Sequence, residues 1–145
     1  MIQRVQSILY LLTSGAFFSE FAFPFATSNN KAAKYFEDLM FNIHDHPILL
    51  ILTILGGVAA FANIFLFRNR PLQVRIGYLL IILAILLPAV AALLILTDGT
   101  ATAQGENISE QAGIFMPIVA IITTIFANKY VKKDENTVRD MDRLR

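Results

Sequence analysis

The chain has 145 residues, 56 % of them hydrophobic, with a formal net charge of +1 at pH 7. So small and mixed a basic content excludes a nucleic-acid surface. The absence of cysteine excludes disulfides, iron–sulfur clusters, a thiolate nucleophile and covalently attached c-type haem.

The apolar residues gather into four runs, about 5–26, 47–67, 76–97 and 113–131, each close to the length an α-helix needs to cross a bilayer. No amphipathic layer is present to bury them, so the chain reads as an all-α membrane protein. Its four transmembrane helices form an antiparallel bundle over 1–131, followed by a charged tail over 132–145.

The first run follows Arg4 and resembles a signal peptide. It is too long for an h-region, and cleavage after Ala26 or Ala22 would place Pro24 or Glu20 where a small residue is required, so a retained helix is expected. Glu20 is a candidate functional site, because hydrocarbon disfavours a charged carboxylate. Its place near the outer end of the span also suits an interfacial role beside Lys31 or Lys34, and that is the expectation.

The connection 27–46 offers Ser28, Asn29 and Asn30 as helix caps. Tyr35, Phe36, Leu39, Met40 and Ile43 then fall on one face of a short amphipathic helix, lying in the outer interface or recruiting a partner protein. His44, Asp45 and His46 are weak candidates for a zinc or copper site, with Glu37 or Asp38 as a further oxygen. The favoured reading is a polar lead-in to the second helix, with Pro47 holding His46 extended.

In the second run Gly56, Ala60 and Asn63 form a face that permits close helix contact and ends in an amide able to bond a neighbour. The basic stretch Arg68-Asn69-Arg70-Pro71-Leu72-Gln73-Val74-Arg75 reads as the loop between the second and third spans. Ala84, Pro88 and Ala92 make a second small face, with Pro88 freeing the Ala84 carbonyl and kinking the helix. In the connection 98–112, Asn107-Ile108-Ser109-Glu110 matches a capping box that would start the fourth helix, in preference to an Asn-x-Ser glycosylation acceptor. Pro117 kinks an early turn of the fourth span, and Ala120, Thr124 and Asn128 repeat the small or polar stripe. Lys129 and Tyr130 suit an inner interface. The tail reads as a solvated helical extension, with docking to a cytoplasmic partner or anionic lipid as the alternative.

Placing the arginine loop in the cytoplasm gathers Arg4, Arg68, Arg70, Arg75, Lys129, Lys132, Lys133, Arg139, Arg143 and Arg145 on that side and leaves Lys31 and Lys34 opposite. This is a positive-inside pattern with both termini cytoplasmic. Met1-Ile2-Gln3-Arg4-Val5-Gln6, the stretch Arg68 to Arg75, and Ala127-Asn128-Lys129-Tyr130-Val131-Lys132-Lys133-Asp134-Glu135 through Asp142-Arg143-Leu144-Arg145 together resemble an uncharacterised family of four-helix inner-membrane proteins from Bacteroidota. That family is known as a domain of unknown function. The resemblance spans the whole chain and implies a bacterial cytoplasmic membrane and no established activity.

The leading expectation is a non-catalytic accessory, assembly or scaffold subunit that binds the bilayer and other membrane proteins or itself. A small transporter or channel component is the runner-up, weakened because Glu20 is peripheral and coupled transport usually needs charge at the midplane. A membrane enzyme ranks third. There is no Gly-x-Ser-x-Gly, His-Glu-x-x-His or phosphate-binding glycine loop, and neither histidine lies in a span, so no cofactor is expected. Arg68, Arg70, Gln73 and Arg75 are the candidate cytoplasmic contacts, either to acidic residues of the tail or to a partner.

Overall fold

The computed structural model describes residues 2–28, 40–99 and 108–143. The elements are α1 (Ile2–Ser19), β1 (Ala26–Ser28), β2 (Met40–Phe41), α2 (Pro47–Phe65), α3 (Arg70–Leu94), β3 (Ile108–Glu110) and α4 (Met116–Arg143). Short 3-10 turns at Ile43–Asp45, Leu66–Arg68 and Ala112–Phe115 lead into or out of the helices, and α3 ends in a π-helical turn at Ile95–Gly99. Among the described residues, three helical stretches are long and apolar enough to cross a membrane: Pro47–Arg68, Arg70–Thr97 and Ala112–Val138, with mean hydropathies of 2.4, 3.2 and 1.7.

The first helix departs from the expected span 5–26. It ends at Ser19, and its apolar part, Val5–Ser19, is shorter than the other three. Pro24 explains the early stop, because it biases Phe23 away from helical geometry and the chain turns into β1. The basic stretch is also not a loop. Pro71 occupies the first turn of α3, where its missing N–H is no loss, so Arg70 to Arg75 already belong to that helix and the connection shrinks to the turn Leu66–Asn69. The anticipated capping box is overturned: Ile108–Glu110 is the strand β3, Asn107 lies outside the described residues, and helical geometry begins at Ala112 behind Gln111. Of the amphipathic helix expected in 27–46, residues 29–39 lie outside the described residues, while Ala26–Ser28 and Met40–Phe41 are strands. The fourth helix runs without interruption from its apolar part to Arg143, so the charged residues after Val131 extend α4.

The helices pack in a ring, α1 against α2 and α4, and α3 against α2 and α4. Their buried positions step alternately by three and four residues. The seam is Gln6, Tyr10, Thr13, Phe17 and Glu20 along and just beyond α1, and Leu49, Thr53, Gly56, Ala60 and Asn63 on α2. It continues as Gln73, Gly77, Leu80, Ala84, Leu87 and Ala91 on α3, and Gly113, Pro117, Ala120, Thr124, Ala127 and Val131 before and along α4. A 3.5-residue repeat keeps one stripe facing the partner helices along the whole length. It also corrects the small face expected on the third helix. Ala84 is buried, but the seam passes to Leu87 and Ala91, leaving Ala92 exposed and Pro88 half-buried in a helix that continues through it. Outside the seam the surface is Leu, Ile, Val and Phe, including Ile51, Val58, Ile82, Leu93 and Ile122.

One end of the bundle is closed by a three-stranded sheet in the order β2-β1-β3, both pairs antiparallel. The Phe25 amide donates to the Phe41 carbonyl at 2.8 Å, and the Gln111 amide donates to the Phe25 carbonyl at 3.0 Å, so β1 is paired along both edges. Phe25, Phe41 and Ile43 are fully buried beneath the sheet. The Gly113 amide donates to the Pro24 carbonyl at 3.1 Å, and a Cβ at Gly113 would lie 2.6 Å from that oxygen. Backbone cannot yield as a side chain can. Gly113→Ala is therefore expected to lower the thermal midpoint in detergent, by the equivalent of about 1–3 kcal/mol. Gly15→Ala, whose Cβ meets nothing within 4 Å, should leave it unchanged or raise it.

Candidate functional site

The polar residues along and beside the seam form the first part of the site. On α1, the Tyr10 hydroxyl donates to Asn128 Oδ1 on α4 at 2.7 Å, with Asn63 of α2 beside it. One turn further along α1, the Thr13 hydroxyl lies 2.8 Å from that of Thr123 and 3.2 Å from that of Thr124. Ser14 donates to the Gly57 carbonyl of α2 at 3.0 Å. Asn128 sits directly over Gly77 of α3, where a Cβ would collide with its amide, so that glycine lets one α4 side chain reach across to α1. Buried amides and hydroxyls that bond between helices are the expected adhesive in lipid, where apolar packing alone does not distinguish protein from acyl chain.

Asn63 and Gln73, both fully buried, make a reciprocal clamp across the turn between α2 and α3. Asn63 Nδ2 donates to the Gln73 carbonyl and Gln73 Nε2 donates to the Asn63 carbonyl, each at 3.1 Å. Each side chain thereby ties the end of one helix to the main chain of the other. Both residues are singled out by the sequence, Asn63 as a packing amide and Gln73 as a cytoplasmic contact. The structure brings them together inside the protein, and Gln73 has no exposed surface to offer a partner.

Beyond the clamp, Arg70 Nη2 pairs with Asp134 Oδ2 of α4 at 2.7 Å, so one arginine of the basic stretch does meet an acidic residue of the charged extension. Arg68 and Arg75 remain exposed. Lys132 Nζ donates to the Tyr78 hydroxyl at 2.7 Å and lies 5.1 Å from that ring's centre. Between α3 and α4 at this end is an open groove of about 560 Å³, lined by Tyr78, Ile81, Ile125 and Asn128 and by Lys129, Lys132 and Lys133.

Glu20 is placed differently from the interfacial role expected of it. It is only 2 % exposed, and neither carboxylate oxygen has a hydrogen-bond partner among the described residues. Lys31 and Lys34 lie outside the described residues. The sequence signal that could have located Glu20 is the 4-3 spacing, which puts it in line with Tyr10, Thr13 and Phe17.

His44, Asp45 and His46 point to three separate tasks. The exposed His44 ring packs edge-on against Phe21 at 5.6 Å between centres. Asp45 accepts from the Asn42 amide at 2.5 Å, and His46 caps α2, its Nδ1 accepting from the Ile48 amide at 3.2 Å. Among the described residues no group of three or more His, Cys, Asp or Glu could hold a metal ion.

Four helices, three of them long and apolar enough to cross a membrane, around a polar seam define a helical membrane protein. The chain belongs to the family described as Domain of unknown function (DUF4293), whose model matches residues 2–144. No curated protein and no solved structure matches the chain.

The clamp gives a direct test. Asn63→Ala and Gln73→Ala should each destabilise the folded protein by about 0.6–2 kcal/mol in a detergent unfolding titration. The double variant should lose close to the sum, because each side chain donates to the other residue's main-chain carbonyl, which alanine retains, so each change removes one bond and leaves the other.

Proposed function

We propose that the chain is a non-catalytic accessory, assembly or scaffold subunit of a bacterial cytoplasmic membrane. In this reading all four helices span the bilayer as an antiparallel bundle with both termini in the cytoplasm. The contacts between helices support the antiparallel arrangement, because their numbering runs in opposite directions: Tyr10 with Asn128 and Thr13 with Thr124, then Tyr78 with Lys132 and Arg70 with Asp134. The same contacts gather Arg68, Arg70, Arg75, Lys129, Lys132 and Lys133 at one end, which the positive-inside rule assigns to the cytoplasm. The short helix α1, about 27 Å long by its rise per residue, completes its crossing through the turn that follows Ser19.

The observation that carries the accessory role is the use made of the interior polar groups. Tyr10, Thr13, Ser14, Asn63, Gln73, Thr124 and Asn128 hold helices to one another, and the basic end and the apolar flanks are what the bundle turns outward to other molecules. The partner surface is therefore a membrane-embedded apolar face with a basic cytoplasmic rim. Purification in mild detergent after crosslinking in membranes should recover a stoichiometric partner or a homo-oligomer. Recovery as a lone monomer would end this reading. Sidedness is checked separately, using the absence of native cysteine. With single cysteines at Asn69 and Ala112, an impermeant thiol reagent added to intact cells should label Ala112→Cys and spare Asn69→Cys.

One observation favours the second reading, a small transporter or channel component. The buried carboxylate of Glu20 has no partner among the described residues, and the seam carries further unpartnered polar atoms on Gln6 and Thr53. A line of polar groups through a bundle is what a proton or cation path requires. Reconstituted wild-type protein should then pass an ion flux that Glu20→Gln abolishes. No flux from the wild type would remove the reading.

A further inference from the structure

We propose that the groove between α3 and α4 at the basic end is a binding site for one anionic phospholipid, its phosphate held by Lys129, Lys132 and Lys133 and an acyl chain laid along Ile81 and Ile125. The proposal rests on the cytoplasmic assignment of this end, where anionic headgroups attract basic residues beside a span.

The groove has the chemistry of such a ligand at both ends. Its polar end carries three lysines together with Tyr78, Asn136 and Thr137, and no carboxylate lines it among the described residues. Lys129 and Lys133 are exposed and make no ion pair among the described residues, and Asp134, the carboxylate next to Lys133 in sequence, faces Arg70 instead. Lys132 is held by the Tyr78 hydroxyl and ring, which fixes one cation without neutralising it. At its other end the groove opens onto Ile81 and Ile125, continuous with the exposed apolar flank of Ile82, Ile85 and Ile122. A cluster of lysines directly above an apolar channel matches a phosphodiester with a hydrocarbon tail, and a free anion would leave the channel unused.

A second, independent observation points the same way. Asn128 lines the groove yet is only 4 % exposed, and its Nδ2 donor has no partner among the described residues. Its Oδ1 already accepts from Tyr10, so the amide is fixed with its donor unanswered. A buried, unsatisfied N–H costs about 1–3 kcal/mol, and a phosphate or ester oxygen entering the groove would relieve it. The ligand would thus bond to the residue that ties α1 to α4 over Gly77, so that occupancy stiffens the bundle as well as filling its edge.

The test uses the full chain purified in a non-ionic detergent, where membrane sidedness plays no part; failure of the orientation would appear only in the cysteine labelling. Phosphatidylglycerol and phosphatidylcholine of identical acyl chains are titrated separately, with bound lipid counted by native mass spectrometry and the thermal midpoint followed in parallel. The expected result is one tightly held phosphatidylglycerol, favoured over phosphatidylcholine by at least about tenfold and raising the midpoint. Lys129→Gln with Lys133→Gln should weaken it roughly tenfold, whereas Arg68→Gln with Arg75→Gln, which removes the same charge from the same end but outside the groove, should change it by less than about twofold. A charge-preserving variant, Ile81→Trp, should also weaken binding by filling the apolar channel. Equal binding of the two lipids, equal loss in the two double variants, or displacement of phosphatidylglycerol by millimolar inorganic phosphate would each overturn the proposal, the last by showing a site for a free anion.

Discussion

Within a bilayer, helices gain nothing from leaving an apolar solvent for an apolar neighbour, so whatever holds this bundle together must come from close contact and from hydrogen bonds. The 4-3 seam supplies both. Gly56, Gly77, Ala60, Ala84 and Ala120 let the backbones approach, and the hydroxyls and amides of Tyr10, Thr13, Ser14, Thr124 and Asn128 bond across the gaps so created. The two are interdependent. Without the missing side chain at Gly77 there is no room for Asn128, and without Asn128 the Tyr10 hydroxyl loses its acceptor.

Much of this architecture is legible in the sequence because hydrocarbon imposes simple rules. Runs of about twenty apolar residues mark the helices, and the two prolines at helix starts, Pro47 and Pro71, are compatible with the positions they occupy. What is less legible is the period. Steps of four residues follow the buried face only briefly, as from Gly56 to Ala60 before the step of three to Asn63, and then drift off it, as at Pro88 and Ala92. Steps alternating three and four do not. The end of α1 was obscured for a related reason: 20 to 26 are apolar enough to prolong a helix, and only Pro24 and the strands that pair with Ala26 and Thr27 decide against it. Strand pairing depends on residues remote in sequence, and a single chain gives no local sign of it. The same holds for Glu20, whose burial is set by what surrounds it, and for the pairing of Asn63 with Gln73, each visible alone as a polar residue near a span.

The basic end shows how charges that look alike in a sequence come to have different duties. Arg70 is paired inside the protein, Lys132 rests on Tyr78, and Arg68, Arg75, Lys129 and Lys133 face outward. A charge count assigns all of them to topology. The geometry separates those that brace α3 against α4 from those that remain open to a ligand or another protein, and it does so within a few turns of helix.

The small sheet at the opposite end bears on how the protein is built. Its central strand leaves the first helix, yet one of its two neighbours, β3, comes from the segment that precedes the last. During synthesis β1 emerges long before β3 exists, so its second edge stays unpaired until the third helix has been made and the chain has returned. The sheet is therefore a closure that forms late, joining the beginning of the chain to its last connection. Until then the first three helices stand without the last, and a nascent chain stalled before β3 would present an open strand edge to whatever lies beside it.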